Sequence, residues 1–272
     1  MKLYPRMSER PPEIRINRSS PLWADLKLFA LFDYNGNIID ASPNAFNISR
    51  INFTNGTAAK FSVDLRRPCF MFTGNGDYLK VIRNSALEPS DQLTVCVFAK
   101  PFTTVGYRDM IRKQADNSNG YILRLNWGGR ITLIATDTTG IKYIQDTDSV
   151  VNYENKWTMI VGTIKKDHEG ALYVNGIKKT SIAWPNPIIH ADDLYIATER
   201  FSSHFYGELT DVMVFARALS SSEIAQLADP GNVDLRVGGI PLILPPRRRS
   251  WPGITITTQD EVITLPTLLA EC

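Results

Sequence analysis

Residues 93–100 read Leu-Thr-Val-Cys-Val-Phe-Ala-Lys, and this stretch decides the fold class. Successive side chains of a β-strand point to opposite faces, so Val95 and Val97 share one face while Cys96 and Phe98 share the other. A strand that is apolar on both faces cannot leave one face in water. The stretch therefore predicts a strand inside a two-layer β-sandwich.

Outward from this strand, short runs of similar character follow one another at the spacing typical of a sandwich or barrel. They are residues 26–32, 69–72, 120–126, 130–135, 157–164, 171–174, 194–197 and 208–215. Asn175-Gly176, between Leu172–Val174 and Ile177, is the strongest hairpin signal. One helix is predicted, because a serine at 220–222 can cap a turn that continues through Leu227. The pattern predicts an all-β fold, a two-sheet antiparallel jelly-roll sandwich with extended N- and C-terminal arms.

Proline divides the chain into three zones. Residues 1–22 contain four prolines and little apolar periodicity, which predicts an extended N-terminal arm. Residues 23–228 carry the strand pattern of the sandwich. Residues 229–272 contain six prolines, the run Arg247–Arg249 and a β-rich tail at 253–265. This segment is too short and too interrupted to form its own core, so we expect both arms to lie along the sandwich or on neighbouring subunits.

Composition excludes several classes of protein. Hydrophobic residues make up 43% of the chain and charged residues 21%, which is ordinary for a globular protein with a buried core. A formal charge of +2 does not favour nucleic-acid binding, and the apolar runs are too short to span a bilayer. The N-terminal residues lack the apolar stretch of a secretory signal. The cysteines, at 69, 96 and 272, are expected to be reduced thiols.

The middle zone resembles the concanavalin A-like, laminin G-like (type 3) sandwich domain over about residues 21–228. The motifs that carry the resemblance occur in the family's order along the chain. They are Leu31-Phe32-Asp33, Ile39-Asp40-Ala41-Ser42-Pro43-Asn44, Phe72-Thr73-Gly74-Asn75-Gly76-Asp77-Tyr78-Leu79, Leu93-Thr94-Val95, Lys156-Trp157-Thr158-Met159, Leu172-Tyr173-Val174-Asn175-Gly176 and residues 206–224. Both histidines that follow the tryptophan in the family's pattern are missing here.

The resemblance implies a fold that serves enzymes, lectins and scaffolds alike. A laminin G-like body followed by a Pro-Arg-rich tail also resembles modules of bacteriophage structural proteins. The leading hypothesis is therefore a non-enzymatic virion protein, made in the host cytoplasm, that decorates a capsid or belongs to a tail. Its partners would be other virion subunits and further copies of itself. The alternatives are a lectin-like adhesion module that binds a polysaccharide and a non-catalytic domain associated with a glycosidase.

The sequence patterns that are typical of enzyme active sites are weak or missing in this chain. A glucanase needs two carboxylates on one face, whereas Glu208 and Asp211 are three residues apart and would point to opposite faces of a strand. Asp146 and Asp148 share a face but are expected to be solvated carboxylates at the edge of a loop. The sequence has no nucleophile elbow, phosphate loop or histidine pair with metal-ligand spacing. We therefore expect no enzymatic activity and no required cofactor.

A structural calcium ion is implied by the resemblance, because members of the family hold one between acidic loop residues. The matching positions are Asp33, Asp40 and Asp211. The alternative is that Asp40 organises a turn with Ser42 and that Asp211 only supports a strand.

Two further sets of residues are candidates for binding. Tyr107, Trp127 and Phe205 are candidates for stacking against sugar rings, with Asn126, Arg124 and His204 as polar neighbours. The alternative is that these aromatic residues pack in the core. Arg247, Arg248, Arg249 and Trp251 are the candidates for contacts in an assembly, since arginine forms bidentate pairs with carboxylates.

Overall fold

The structure is a computed structural model. It describes residues 15–16, 20–32, 37–53, 58–62, 65, 67–114, 119–146, 153–190, 192–198, 204–228, 236–237, 256–257 and 262–263. The chain divides into two units, Arg15–Val237 and the termini Met1–Ile14 with Gly238–Cys272. In the second unit, the described residues form one antiparallel pair, Ile256–Thr257 with Val262–Ile263.

The first unit consists mainly of strands. They are β1 (Arg15–Ile16), β2 (Leu26–Phe32), β3 (Ile38–Asp40), β4 (Ser49–Ile51), β5 (Ala58–Ser62), β6 (Arg67–Thr73), β7 (Tyr78–Val81), β8 (Gln92–Pro101), β9 (Arg108–Gln114), β10 (Gly120–Leu125), β11 (Ile131–Asp137), β12 (Gly140–Gln145), β13 (Thr158–Lys165), β14 (His168–Val174), β15 (Ile177–Trp184), β16 (Leu194–Ile196), β17 (Tyr206–Phe215) and β18 (Arg236–Val237). Helix α1 (Ser221–Ala228) follows β17, and 3₁₀ turns occupy Pro21–Trp23 and Ser85–Leu87. The predicted strands are present with small shifts at their ends, and β2 has the predicted bounds.

Within the described residues, two antiparallel sheets form the sandwich, which confirms the predicted fold class. Seven strands follow the order β12-β11-β10-β9-β16-β7-β4. The nine-stranded sheet has the order β15-β14-β13-β8-β17-β2-β3, with β6 joined to β17 and β5 to β6. Strands β1 and β18 pair with each other.

The inner faces of the two sheets form the core. Val97 of β8 and Leu133 of β11 belong to one buried cluster. The sheets approach closely at Gly162 of β13, because a Cβ there would lie 2.8 Å from Leu133 Cδ2. Cys96 and Phe98, on the other face of β8, are buried as well. Burial on both faces of β8 is what residues 93–100 predict.

A smaller apolar layer covers the outer face of the nine-stranded sheet. The Trp23 ring stacks on Phe29 and Phe215 at centroid distances of 5.6 and 6.3 Å. Helix α1 contributes Ile224 and Leu227, and both are buried. In the described part of the chain, no helix combines the length and apolar character needed to cross a membrane.

Helix α1 begins with the predicted serine cap. The backbone N–H of Glu223 donates to Ser220 Oγ at 3.3 Å, and the N–H of Ser220 donates to Glu223 Oε2 at 2.8 Å. This reciprocal pair satisfies donors that the first helical turn leaves free.

Two cysteines lie in the described region. Cys69 and Cys96 are both buried, and the described residues show no disulfide between them. Burial raises the pKa of Cys69 to about 12, which keeps its thiol protonated at neutral pH. This agrees with the reduced thiol expected for Cys69, and Cys272 lies outside the described residues.

A lysine is buried at the edge of the core. Lys113 of β9 has no exposed surface, and its Nζ donates to Glu88 Oε1 at 2.9 Å and to the Asp192 carbonyl at 2.6 Å. Arg83 Nε donates to the same Glu88 oxygen at 2.7 Å. The hydrogen bond from Arg83, followed by that from Lys113, holds the pKa of Glu88 at about 2. Burial lowers the pKa of Lys113, so the ammonium depends on Glu88.

Glu88 predicts a pH-dependent stability. Its pKa is about 2 in the folded chain and 4.5 as the ordinary value, so its stabilisation is complete above about pH 4.5 and is lost as the pH falls towards 2. We expect Glu88→Gln to lower the urea midpoint at neutral pH and to flatten its decline over that range. Asp167→Asn, at an exposed turn, is the matched control and should keep the wild-type profile. An unchanged profile for Glu88→Gln would contradict this account.

Candidate functional site

The hairpin turn between β10 and β11 is fixed by one asparagine side chain. Asn126 Oδ1 accepts hydrogen bonds from the backbone N–H groups of Gly128 at 3.0 Å and Arg130 at 3.1 Å. Gly129 has φ +71°, in the left-handed region that favours glycine, and its N–H donates to the Asn126 carbonyl at 2.9 Å. The turn therefore has a defined shape and presents Trp127 near its tip.

Trp127 and Tyr107 form an exposed aromatic pair. Trp127 exposes 70% of its surface and Tyr107 exposes 37%. Their ring centroids are 6.2 Å apart at an interplanar angle of 64°, an edge-to-face arrangement. The structure thus brings together two of the three aromatic residues that the sequence analysis named.

A bulge in β9 places charged residues on one face beside this pair. Leu123 of β10 pairs with Ile111, whereas Arg124 pairs with Asp109, so Met110 is an extra residue in β9. An extra residue reverses the side to which the following side chains point. Asp109 and Arg112 consequently lie close enough for an ion pair of 3.1 Å.

Arg124 connects this charged cluster to the aromatic pair. Its guanidinium lies 4.3 Å from the centroid of the Tyr107 ring, within the range of a cation–π contact. Its Nη1 is 3.6 Å from Asp109 Oδ1, and its side chain is 14% exposed. Of these charged residues, Arg124 is a candidate from the sequence, whereas Asp109 and Arg112 are not, because the polar run Arg108–Gln114 gives no strand signal.

Neighbouring segments brace the hairpin from both sides. Asn126 Nδ2 donates to Gln145 Oε1 of β12 at 3.0 Å. A Cβ on Gly129 would lie 3.1 Å from Thr104 Cβ, so the chain between β8 and β9 packs against the turn. The aromatic pair therefore stands on a supported surface.

Phe205 does not belong to this surface. Its ring has no exposed surface and is part of the core cluster. A sugar cannot stack on a ring that it cannot reach, so the expectation for Phe205 is corrected in favour of the core alternative. The neighbouring His204 Nδ1 forms a hydrogen bond of 2.9 Å with Thr198 Oγ1.

The acidic positions that suggested calcium lie apart. Asp40 Oδ1 accepts from the N–H groups of Phe29 and Ser42, and Oδ2 accepts from Phe46 N–H at 2.8 Å, as the turn alternative predicts. Asp211 is buried within β17 at φ +49°. Strand β2 separates β3 from β17, which puts the two backbones about 10 Å apart.

The described residues contain no group of three or more histidine, cysteine, aspartate or glutamate side chains placed to hold a metal ion. Asp33 lies outside the described residues. Calcium therefore stays a prediction.

Two carboxylates considered for catalysis have partners within the fold. Asp146 was expected to be solvated, and this was wrong, because it is buried and accepts a hydrogen bond from the Tyr153 hydroxyl at 2.5 Å. Glu208 lies between Lys60, at 3.7 Å, and Lys100, at 3.9 Å. Asp148 lies outside the described residues.

The assembly residues Arg247, Arg248, Arg249 and Trp251 also lie outside the described residues. The hypothesis of a virion subunit with homo-oligomeric contacts and a virion location stays a prediction. The β-rich tail at 253–265 is described only at β19 (Ile256–Thr257) and β20 (Val262–Ile263), which pair with each other.

Comparison with known families and structures agrees with the sandwich. A family model named Laminin_G_3, described as the concanavalin A-like lectin/glucanases superfamily, matches residues 73–225. No curated protein matches the chain.

Similar folds occur among toxin binding domains. The binding domain of Paraclostridial Mosquitocidal Protein 1 is 19% identical, with a TM-score of 0.62 over 76% of this chain and 52% of that one. The receptor binding domain of botulinum neurotoxin D is 17% identical, with a TM-score of 0.61 over 76% and 53%. The botulinum neurotoxin serotype D ligand binding domain, in complex with N-acetylneuraminic acid, is 16% identical, with a TM-score of 0.58 over 76% and 52%. The chain spans about half the length of these structures, and the likeness at these identities is one of fold.

The asparagine-braced turn predicts a stability effect. Asn126→Ala leaves the N–H groups of Gly128 and Arg130 without their acceptor, and we expect a loss of about 2 kcal/mol in the free energy of unfolding. Urea titration followed by tryptophan fluorescence measures this loss. Asn47→Ala, at an exposed position, is the control and should stay within about 0.5 kcal/mol of wild type. Equal stability of the two variants would show that backbone contacts alone hold the turn.

Proposed function

The chain belongs to the laminin G-like family Laminin_G_3 of the concanavalin A-like lectin/glucanases superfamily, and from this membership we propose that it is a non-catalytic, glycan-binding module. The fold by itself serves several functions, so the proposal depends on a particular surface. That surface is the pair of Tyr107 and Trp127 with Arg124 and Asn126 beside it. We call it the hairpin surface.

The observation that carries the proposal is the exposure of Trp127 on a braced turn. Trp127 is 70% exposed and lies against a second exposed ring, that of Tyr107, so the two rings offer an apolar face that a ligand can cover. Sugar rings have apolar C–H faces that pack on flat aromatic rings, and their hydroxyl groups need polar partners at the rim. Arg124 and Asn126 place guanidinium and amide groups at that rim.

Rigidity supports the same proposal. Ordering a flexible loop on binding would cost conformational free energy. The turn is already ordered by Asn126 and by the contact between Gly129 and Thr104. A weakly binding ligand such as a sugar gains most from a surface that needs no rearrangement.

The compared structures support a binding function, since they include a receptor binding domain and a ligand binding domain in complex with N-acetylneuraminic acid. The engagement of Asp146 by Tyr153, and of Glu208 by two lysines, supports a module without hydrolytic activity. A glycosidase needs one protonated and one ionised carboxylate flanking its substrate.

Substitution of Trp127 tests the proposal. The full chain is screened on an array of neutral and acidic glycans, and the strongest binder is measured by titration calorimetry. Because a central aromatic contact is worth about 2 kcal/mol, we expect Trp127→Ala to weaken binding by about 30-fold.

Ile177→Ala is the matched control, since Ile177 is 65% exposed on the β14–β15 hairpin of the other sheet. It should bind like wild type. Failure of the wild-type chain to bind any glycan on the array, or full binding by Trp127→Ala, would overturn the proposal.

A further inference from the structure

A second aromatic pair lies at the same end of the sandwich as the hairpin surface. The rings of Phe102 and Tyr206 meet edge to face, with centroids 5.2 Å apart and an interplanar angle of 83°. Tyr206 is 40% exposed, and Phe102 is half-buried. The backbone N–H of Phe102 donates to the Tyr206 carbonyl at 2.9 Å, and a Cβ on Gly74 would lie 3.0 Å from Tyr206 Cβ. Neighbouring backbone therefore supports this pair on two sides.

The two aromatic pairs border opposite faces of the sandwich. Leu209 of β17 belongs to the core, so the alternation of side chains places Tyr206 on the outer face of the nine-stranded sheet. Leu123 of β10 also belongs to the core, which places Arg124 on the outer face of the seven-stranded sheet. The Tyr107 ring lies against the Arg124 guanidinium and is therefore on that same face.

One loop connects the two pairs across the end of the sandwich. It runs from Phe102, which follows β8, to Tyr107, which precedes β9. Val105 lies between these two residues and is 66% exposed. Thr104 of the same loop packs against Gly129 of the hairpin turn. Exposed apolar groups thus continue from one aromatic pair, over the loop, to the other.

The spacing of the pairs sets the size of ligand that can contact both. The two sheets of a sandwich pack about 10 Å apart, and the five residue steps from Phe102 to Tyr107 span at most about 18 Å. A single sugar ring is too small to lie on both pairs at this spacing. A chain of several sugar units reaches from one pair to the other.

We infer that the ligand of the hairpin surface is an oligosaccharide chain that crosses Val105 and packs a further sugar unit against Phe102 and Tyr206. The inference rests on the proposed glycan binding and adds a second subsite and a minimum length of the ligand. Asn155 is exposed, and its backbone N–H donates to the Pro101 carbonyl at 2.7 Å, which holds this residue beside the second pair. An asparagine amide both donates to and accepts from sugar hydroxyl groups.

A size series of oligosaccharides tests the inference. The probes are cello-oligosaccharides and chito-oligosaccharides, from the disaccharide to the hexasaccharide, and the same series of the strongest binder on the array. We expect the affinity of the full chain to rise by about tenfold along a series that binds and then to level off. The gain arises because the second contact of a longer ligand forms within the complex that the first contact has made.

Substitutions of Tyr206 separate the two subsites. Tyr206→Ala should remove the gain with length, whereas the disaccharide should still bind, because it contacts only the pair of Tyr107 and Trp127. Binding of the disaccharide also shows that the variant is folded. Tyr206→Phe keeps an aromatic ring and should keep most of the gain. Trp127→Ala should weaken binding of every member of the series. Tyr143→Ala is the matched control, since Tyr143 is 57% exposed on the edge strand β12 and lies outside the connecting loop.

The outcomes separate this inference from the proposed function. A gain with length that survives in Tyr206→Ala would overturn the second subsite and leave glycan binding intact. Affinity that requires Trp127 but does not change with length would do the same. Loss of the gain in Tyr143→Ala would also overturn it, because the ligand would then extend across the seven-stranded sheet. Absence of binding to every series, together with an array without binders, would remove both proposals.

Discussion

A Cβ on Gly162 of β13 would lie 2.8 Å from Leu133 Cδ2 of β11, so the two sheets pack closely at this point. This spacing between the sheets constrains the rest of the sandwich. Side chains of both sheets interlock in one close-packed core, which favours a single arrangement of the core strands. Leu123 and Leu133 anchor β10 and β11 in the core from their inner faces. These two strands position the turn that joins them. Trp127 therefore has a defined position, although most of its surface is exposed to water.

The parts of the fold that the sequence predicts are those with a local signal. Residues 93–100 are apolar on both faces, and β8 is buried on both faces. Asn175-Gly176 predicts a hairpin, and β14 pairs with β15 at that point. Ser220 and Glu223 predict a capped helix and form the reciprocal cap. In each case the residues that determine the element lie within a few positions of one another. The sequence alone is therefore sufficient to predict the element.

The parts that the sequence does not predict depend on contacts between distant residues. The run Arg108–Gln114 is polar, yet it forms a central strand, because Lys113 meets Glu88 from 25 residues earlier in the chain. The sequence around Phe205 is typical of a surface turn, but the fold places the Phe205 ring in the core. Trp127 and Tyr107 are distant in the sequence, and the register of β9 against β10 brings them together.

The extra residue in β9 has a consequence for the comparison of related chains. Met110 lets the strand keep its hydrogen-bonded neighbours while Asp109 changes the side on which it emerges. A homologue that kept every residue of β9 but lacked the bulge would pair residue 110 with Arg124 and would turn Asp109 towards the core. The ion pair between Asp109 and Arg124 would then be lost without a change in any residue. The surface beside the aromatic pair would therefore depend on the register of one strand as well as on the identity of its residues.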